Sequence, residues 1–238
     1  LGAVKTEFDK FGQGLSKMQQ RLRQTDEELD NLIGVRSRAI SRKLRAVQTM
    51  DESAAAALLD TLDAVAAAPV AARMVALTGD LASARGAAAI RDRLADFTVV
   101  PQRGNDFGER LANAHHDAAC LGYPVLQIGM DTPQVTAKLL TACALRLLRA
   151  DSVLGPASDG GWWLLGLHNG VGADSLRAVP MSRSDTGART QHALTNAGLG
   201  VDLVTELPDF DVIDDIAAVR ACCPEGSRFR SLTTAIGV

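Results

Sequence analysis

Residues 124–149 read PVLQIGMDTPQVTAKLLTACALRLLR. The run Val125-Leu126-Gln127-Ile128 is short, apolar and closed by Pro124 on one side and Gly129 on the other, the signature of a buried strand. Beyond Pro133 the apolar residues fall at Leu139, Leu140, Ala144, Leu147 and Leu148. Three- and four-residue steps put those side chains on one helical face, so the reading is a helix over 135–149. A buried strand that feeds a helix is one half of a βαβ unit.

The same alternation continues in both directions. Upstream, a helix reads from Ser53 to Ala67, a strand over Met74–Thr78, a helix over Leu81–Ala95, a strand over Phe97–Val100 and a helix over Phe107–Leu121. Downstream come strands at Ser152–Leu154 and Trp162–Leu167, a helix over Thr186–Ala197, a strand at Val201–Val204 and a last helix over Ile213–Cys222. Strands separated by helices of ten to fifteen residues predict an α/β domain with a mostly parallel sheet. Right-handed crossovers would then clothe both faces in helices, giving three layers.

Ligands of such sheets lie beyond the carboxyl ends of the strands. That rule selects three loops. Pro101-Gln102-Arg103-Gly104-Asn105-Asp106-Phe107-Gly108 opens a helix, where amide groups attract phosphate, and Arg103 or Arg110 would add a bidentate contact. Met130-Asp131-Thr132-Pro133 carries a hard oxygen ligand of the kind Mg²⁺ or Mn²⁺ takes together with phosphate oxygens; the competing role for Asp131 is a helix N-cap. Ala157-Ser158-Asp159-Gly160-Gly161 is either a turn with Asp159 accepting backbone N–H bonds, or a place where glycines let a ligand approach the backbone. Trp162 and Trp163 alternate across their strand, one toward the core and the other toward the cleft or solvent. Farther on, Asp209, Asp211, Asp214 and Asp215 fall within seven residues. Asp211 is a candidate second metal ligand, whereas capping of the last helix suffices for Asp214 and Asp215.

The segments FTVVPQRGNDFGERLANA, PVLQIGMDTPQVT, SVLGPASDGGWWLLGL and LPDFDVIDDI together resemble a bacterial glycosyltransferase-like family of unknown function that includes arsenosugar-biosynthesis-type glycosyltransferases. That family sits with the nucleotide-diphospho-sugar (GT-A) transferases, among them the molybdenum-cofactor and lactyl-phosphate guanylyltransferases. The resemblance covers residues 54–238. It implies Asp131 as the metal-binding aspartate, with Asp131 and Asp159 catalytic. It places Gln102, Gly104 and Arg110 in the nucleotide-side loop and Asp159, Gly160 and Gly161 in the acceptor-side loop; Arg103, as a phosphate contact, and Trp162, as a ring for a sugar or base, join them from the reading of the loops themselves. Asp211 would be a second metal contact, although Val212-Ile213 replaces the usual Thr-Pro. The implied partners are a nucleotide sugar or nucleotide and Mg²⁺ or Mn²⁺.

Relatives of that kind open with a strand and a basic, glycine-rich nucleotide loop. No such segment precedes Ser53, which predicts a junction between about Val47 and Ala54 and a sheet without its usual first strand. Residues near Leu44–Met50 or another chain would fill the place. The first 50 residues differ in character: four of the five lysines lie there. Phe8, Phe11, Leu15, Met18, Leu22, Thr25, Leu29 and Leu32 form a heptad-like stripe. This segment resembles the C-terminal tail of the RmuC DNA-recombination family over about residues 1–48, without that family's nuclease-like core. It is read as an amphipathic helical arm, with self-association as its sharper role and Arg36–Arg45 as a solvated face.

Composition narrows the classes. The 238 residues are 47% apolar but only 4% aromatic, so the core must rest on Ala, Leu and Val. The net charge of −3 gives no reason to expect nucleic acid or an anionic membrane as partner. No apolar run reaches the roughly 20 residues of a membrane helix, and the start does not read as a signal peptide. Cys120, Cys143, Cys222 and Cys223 lack metal-ligand spacing, which fits free, mostly buried thiols in a reducing cytoplasm. The expected function is a metal-dependent glycosyltransferase-like activity on a nucleotide-activated sugar. Nucleotidyl transfer on the same fold is the neighbouring alternative, and a catalytically inactive binding or scaffold protein is the alternative the absent nucleotide loop favours.

Overall fold

A computed structural model describes residues 50–237, within a unit spanning Met50–Val238. The expected helical arm over residues 1–50, its self-association and the strand substitute near Leu44–Met50 fall outside the described residues, except for Met50, which is helical. Among the described residues helix α1 covers residues 50–67.

The order that follows is β1 (Met74–Leu77), α2 (Ala87–Leu94), β2 (Thr98–Pro101), α3 (Phe107–Ala119), β3 (Val125–Ile128), α4 (Ala137–Leu147), β4 (Ser152–Pro156), β5 (Trp162–Leu167), α5 (Thr186–Asn196), β6 (Val201–Leu203), α6 (Ile216–Cys222) and α7 (Arg228–Ile236). Short 3₁₀ turns sit at Leu81–Ser83, Val171–Ala178 and Ile213–Asp215. The helix expected over Leu81–Ala95 is therefore split. Gly86 adopts φ +68° at the break, a left-handed conformation that no helix interior accommodates. Helix α7 was not anticipated.

Strands β1 and β2 form a parallel pair, Val75 opposite Val99. The other four strands form a sheet in the order β3-β5-β4-β6. Here the expectation of a mostly parallel sheet is corrected: β5 runs antiparallel to both neighbours, and only β4 and β6 pair in parallel. The reason is chain length. Only Ala157–Gly161 connects β4 to β5, and a parallel return needs a crossover of about a dozen residues or more. Among the described residues β1 and β3 each keep one edge without a strand partner.

Helix α1 bridges the two sheets through side chains. Leu58, Leu59 and Leu62 pack with Val75, Ile90, Leu94 and Phe97. One turn farther on, Ala64 and Ala68 enter the cluster of Leu140, Leu147, Val153 and Leu164. Alanine at those positions lets the helix approach closely, as a chain poor in aromatics requires. The opposite face of the large sheet is covered by Ala112, Ala173, Leu176 and Leu194 against Leu154, Leu165 and Leu167. A fourth cluster joins α1 to the last two helices, with Phe210 and Phe229 edge to face at 4.9 Å.

The two ends of the described chain are fastened by Asp60, which is 9% exposed. Its carboxylate accepts from the Ser227 hydroxyl at 2.7 Å and from the backbone N–H groups of Arg228 at 3.0 Å and Phe229 at 2.9 Å. These amides belong to the start of α7, where intrahelical acceptors are lacking. All four cysteines are free; Cys143 and Cys223 are buried, Cys120 and Cys222 exposed. No helix among the described residues is long and apolar enough to cross a membrane.

Candidate active site

The loops at one end of the large sheet surround a cavity of about 340 Å³. Strand β3 delivers the first wall. The Gly129 N–H donates to the Trp163 carbonyl at 3.1 Å, prolonging the ladder one residue past the strand. The chain then turns, and the Thr132 hydroxyl donates back to the Gly129 carbonyl at 3.0 Å. Asp131 therefore lines the cavity. It does not cap α4, because Thr136 does so by accepting from the Leu139 N–H. Burial raises the Asp131 pKa, and the charges of Asp211 and Asp159 push the same way.

The connection from β4 to β5 supplies the second wall. The Asp159 carboxylate accepts the Gly161 N–H at 2.7 Å, the turn chemistry that residue favours. Asp159 lines the cavity together with Gly161 and Trp162. Trp162 packs on the cluster of Leu165 and Leu176. Trp163 enters the opposite core, 3% exposed, and its indole N–H donates to the Thr205 carbonyl at 2.9 Å.

That last bond helps set the third wall, residues 208–211. The Gln134 amide holds the same loop by donating to the Pro208 carbonyl at 2.7 Å. Asp215 fixes its far end by accepting from the N–H groups of Asp211 and Val212 at 3.0 and 2.9 Å. Oxygens of Asp159, Asp209 and Asp211 consequently lie within 4.8 Å of one another. Asp209 feels this most. Burial first, then Asp159, Asp211, Asp131 and Asp215, raise its pKa to about 7. Its Oδ1 is buried without a hydrogen-bond partner.

The fourth wall is Met181-Ser182-Arg183-Ser184. Ser182 adopts φ +57°, the single positive φ outside glycine among the described residues. The loop is bolted to the Asp159 turn: the Gly187 N–H donates to the Gly160 carbonyl at 2.7 Å, and the Thr186 hydroxyl donates to the Pro180 carbonyl while accepting the Arg183 N–H.

Of the residues selected from sequence, Asp131, Asp159, Gly161, Trp162 and Asp211 line this one cavity. Gly160 stands behind it; a Cβ there would run into the Ser184 carbonyl. Gln102, Arg103, Gly104 and Arg110 are not among the lining residues, although Phe107 and Leu111 of the same βα segment are. Arg103 pairs instead with Asp117 at 2.5 Å, and Arg110 donates to the Gly104 carbonyl at 3.3 Å. Asp209, Arg183, Ser182 and Ser184 were not selected. Asp209 stood in view within the carboxylate run; no periodic signal marks the other three.

A family profile described as "Uncharacterized protein conserved in bacteria (DUF2064)" matches residues 61–183, more than half of the chain. The chain belongs to the DUF2064 family. The matched stretch of this DUF2064 member includes Asp131 and Asp159 and ends at Arg183, whereas Asp209 and Asp211 lie beyond it. No curated protein matches the sequence. Among solved structures, one from Desulfovibrio desulfuricans G20, described as a candidate nucleotide-diphospho-sugar transferase, is similar over 80% of this chain and 82% of its own. The identity is 21% and the TM-score 0.65. This DUF2064 protein therefore has the fold of that transferase.

Proposed function

We propose that the cavity is the active site of a metal-dependent glycosyltransferase-like enzyme that takes a nucleotide-activated sugar. The observation that carries this reading is the convergence of the Asp159, Asp209 and Asp211 oxygens within 4.8 Å, with Asp131 in the same cavity. Carboxylates gathered this closely repel one another, and a divalent cation relieves that repulsion. The donor set is all oxygen, and the buried Asp209 Oδ1 has no other partner; both fit Mg²⁺ or Mn²⁺.

Asp159, Asp209 and Asp211 would hold the cation, and Asp131 would add negative charge or a further ligand. When bound, the cation supplies electrostatic stabilisation of a diphosphate leaving group. The chain's own part is to hold the carboxylates in place before substrate arrives. The Gly161 N–H orients Asp159, Asp215 pins the backbone of Asp211, and Trp162 offers an apolar surface for a sugar or base. Nucleotidyl transfer uses the same diphosphate chemistry and belongs to the same reading, as does the kinship with arsenosugar-type and guanylyltransferase-like enzymes. The proposed setting is cytoplasmic.

A second reading, binding without turnover, draws on the placement of Gln102, Arg103, Gly104 and Arg110 outside the cavity lining. Thermal shift against UDP-, GDP- and CDP-sugars, with and without Mn²⁺, tests the first. A Mn²⁺-dependent gain that disappears in Asp131→Ala and Asp209→Asn is the expected result. No gain with any of these ligands overturns it. A gain without release of nucleoside diphosphate over a panel of acceptors selects the second reading.

A further inference from the structure

Arg183 is the one basic side chain among the described residues that line the cavity. Its Nε donates to Asp185 Oδ1 at 3.2 Å, and its two Nη groups make no hydrogen bond among the described residues. Asp185 does not depend on this contact, because Arg189 holds its other oxygen at 2.7 Å. An exposed ion pair of this kind contributes little to stability, so the guanidinium is free to turn toward a ligand. The backbone beneath it is firmly placed. The Arg183 N–H donates to the Thr186 hydroxyl at 3.1 Å, and Thr186 is 5% exposed. Ser182 and Ser184 line the cavity on either side and add hydroxyl donors.

Four carboxylates and one guanidinium line a single cavity. The carboxylates suit a cation; Arg183 suits the anion that accompanies it. We propose that Arg183, flanked by the hydroxyls of Ser182 and Ser184, is the anion-binding residue of this cavity and takes phosphate oxygens of the substrate. A guanidinium presents two N–H groups in a fork that matches phosphate oxygens, which an ammonium does not. The inference rests on the nucleotide-dependent reading above and adds the group that holds the phosphates.

The test uses the full chain at saturating Mn²⁺. UDP, GDP and CDP are each titrated calorimetrically beside the matching nucleoside, and Mn²⁺ uptake is followed separately by electron paramagnetic resonance. The variants are Arg183→Ala, Arg183→Lys and Asp209→Asn, with melting curves to confirm folding. Arg183→Ala should keep Mn²⁺ uptake and nucleoside affinity but lose diphosphate affinity by about tenfold or more. Arg183→Lys should recover only part of it. Wild-type diphosphate affinity in Arg183→Ala, or no diphosphate binding by the wild-type chain, overturns the assignment. A wild-type chain that takes up no Mn²⁺ yet binds diphosphate through Arg183 removes the metal from the functional reading and leaves this inference standing.

Discussion

The Gly187 amide donates to the Gly160 carbonyl at 2.7 Å, and this bond joins the turn that carries Asp159 to the loop that carries Arg183. Gly160 sits at φ +92°, with the Ser184 carbonyl where a side chain would begin. Gly160→Ala should therefore destabilise the protein by more than about 2 kcal/mol, from conformational strain and collision together. Gly198 provides the comparison, since it has φ +84° but open space around it. Gly198→Ala should cost only about 1 kcal/mol, from strain alone. Urea denaturation of both variants checks the difference, and equal losses would mean that the two loops are not packed as described.

The raised pKa of Asp209 has a definite sign. The folded state holds the proton up to about pH 7, whereas the unfolded chain releases it near 3.8. Between these values the folded state binds more protons, so this group's contribution to stability falls as pH rises from about 4 to about 7. Asp209→Asn should remove that fall in the metal-free protein and raise its melting temperature at pH 8. Added Mn²⁺ should stabilise the wild-type protein more at pH 8 than at pH 6, because ligation needs the ionised carboxylate. Differential scanning fluorimetry across this range reads both effects.

His115 works in the opposite direction. It is fully buried in α3, its Nδ1 is 3.3 Å from Gln127 Oε1, and its Nε2 has no partner. Burial lowers its pKa from 6.5 to about 4. The unfolded chain takes up the proton first, so stability is lost as pH falls from 6.5 toward 4. His115→Leu should reduce the loss between pH 7 and pH 4.5 by roughly 2–3 kcal/mol. Urea midpoints at the two pH values measure it. The same variant should loosen Gln127, a cavity-lining residue whose amide also donates to the Leu111 carbonyl.

Asp60→Ala should cost about 3 kcal/mol, because it strips an acceptor from the Ser227 hydroxyl and from two backbone N–H groups in a buried place. Ser227→Ala removes only the hydroxyl partner and the α7 cap, in which the Ser227 Oγ accepts from the Arg230 N–H, and should cost about 1 kcal/mol. Thermal melts of the two variants give the ranking. A larger loss in Ser227→Ala would contradict the account of Asp60.

Much of the fold was legible because strand and helix periods differ. The expected strand Trp162–Leu167 matches the observed one, since its apolar run is flanked by glycines and by His168-Asn169-Gly170. The direction of β5 was also encoded, in the five-residue connection before it, but periodicity carries no information on direction. Helix α7 has only Phe229, Leu232, Ala235 and Ile236 as apolar residues, too few to stand out from Arg, Ser and Thr. At the site, Asp131 and Asp159 were visible because strand ends can be counted along the chain. Arg183 was not, because it reaches the cavity through hydrogen bonds of the Gly187 amide and the Thr186 hydroxyl, and nothing in a linear pattern marks which loop will be tied to which turn.

The clasp at Asp60 also bears on how this protein is made. Ser227 lies 167 residues after its partner. At roughly 5–20 residues per second, the ribosome delivers the donors on the order of 10–30 s after the carboxylate has emerged. Until then the carboxylate lacks the Ser227, Arg228 and Phe229 donors, so the contact between α1 and α7 forms only after all six described strands have been synthesised.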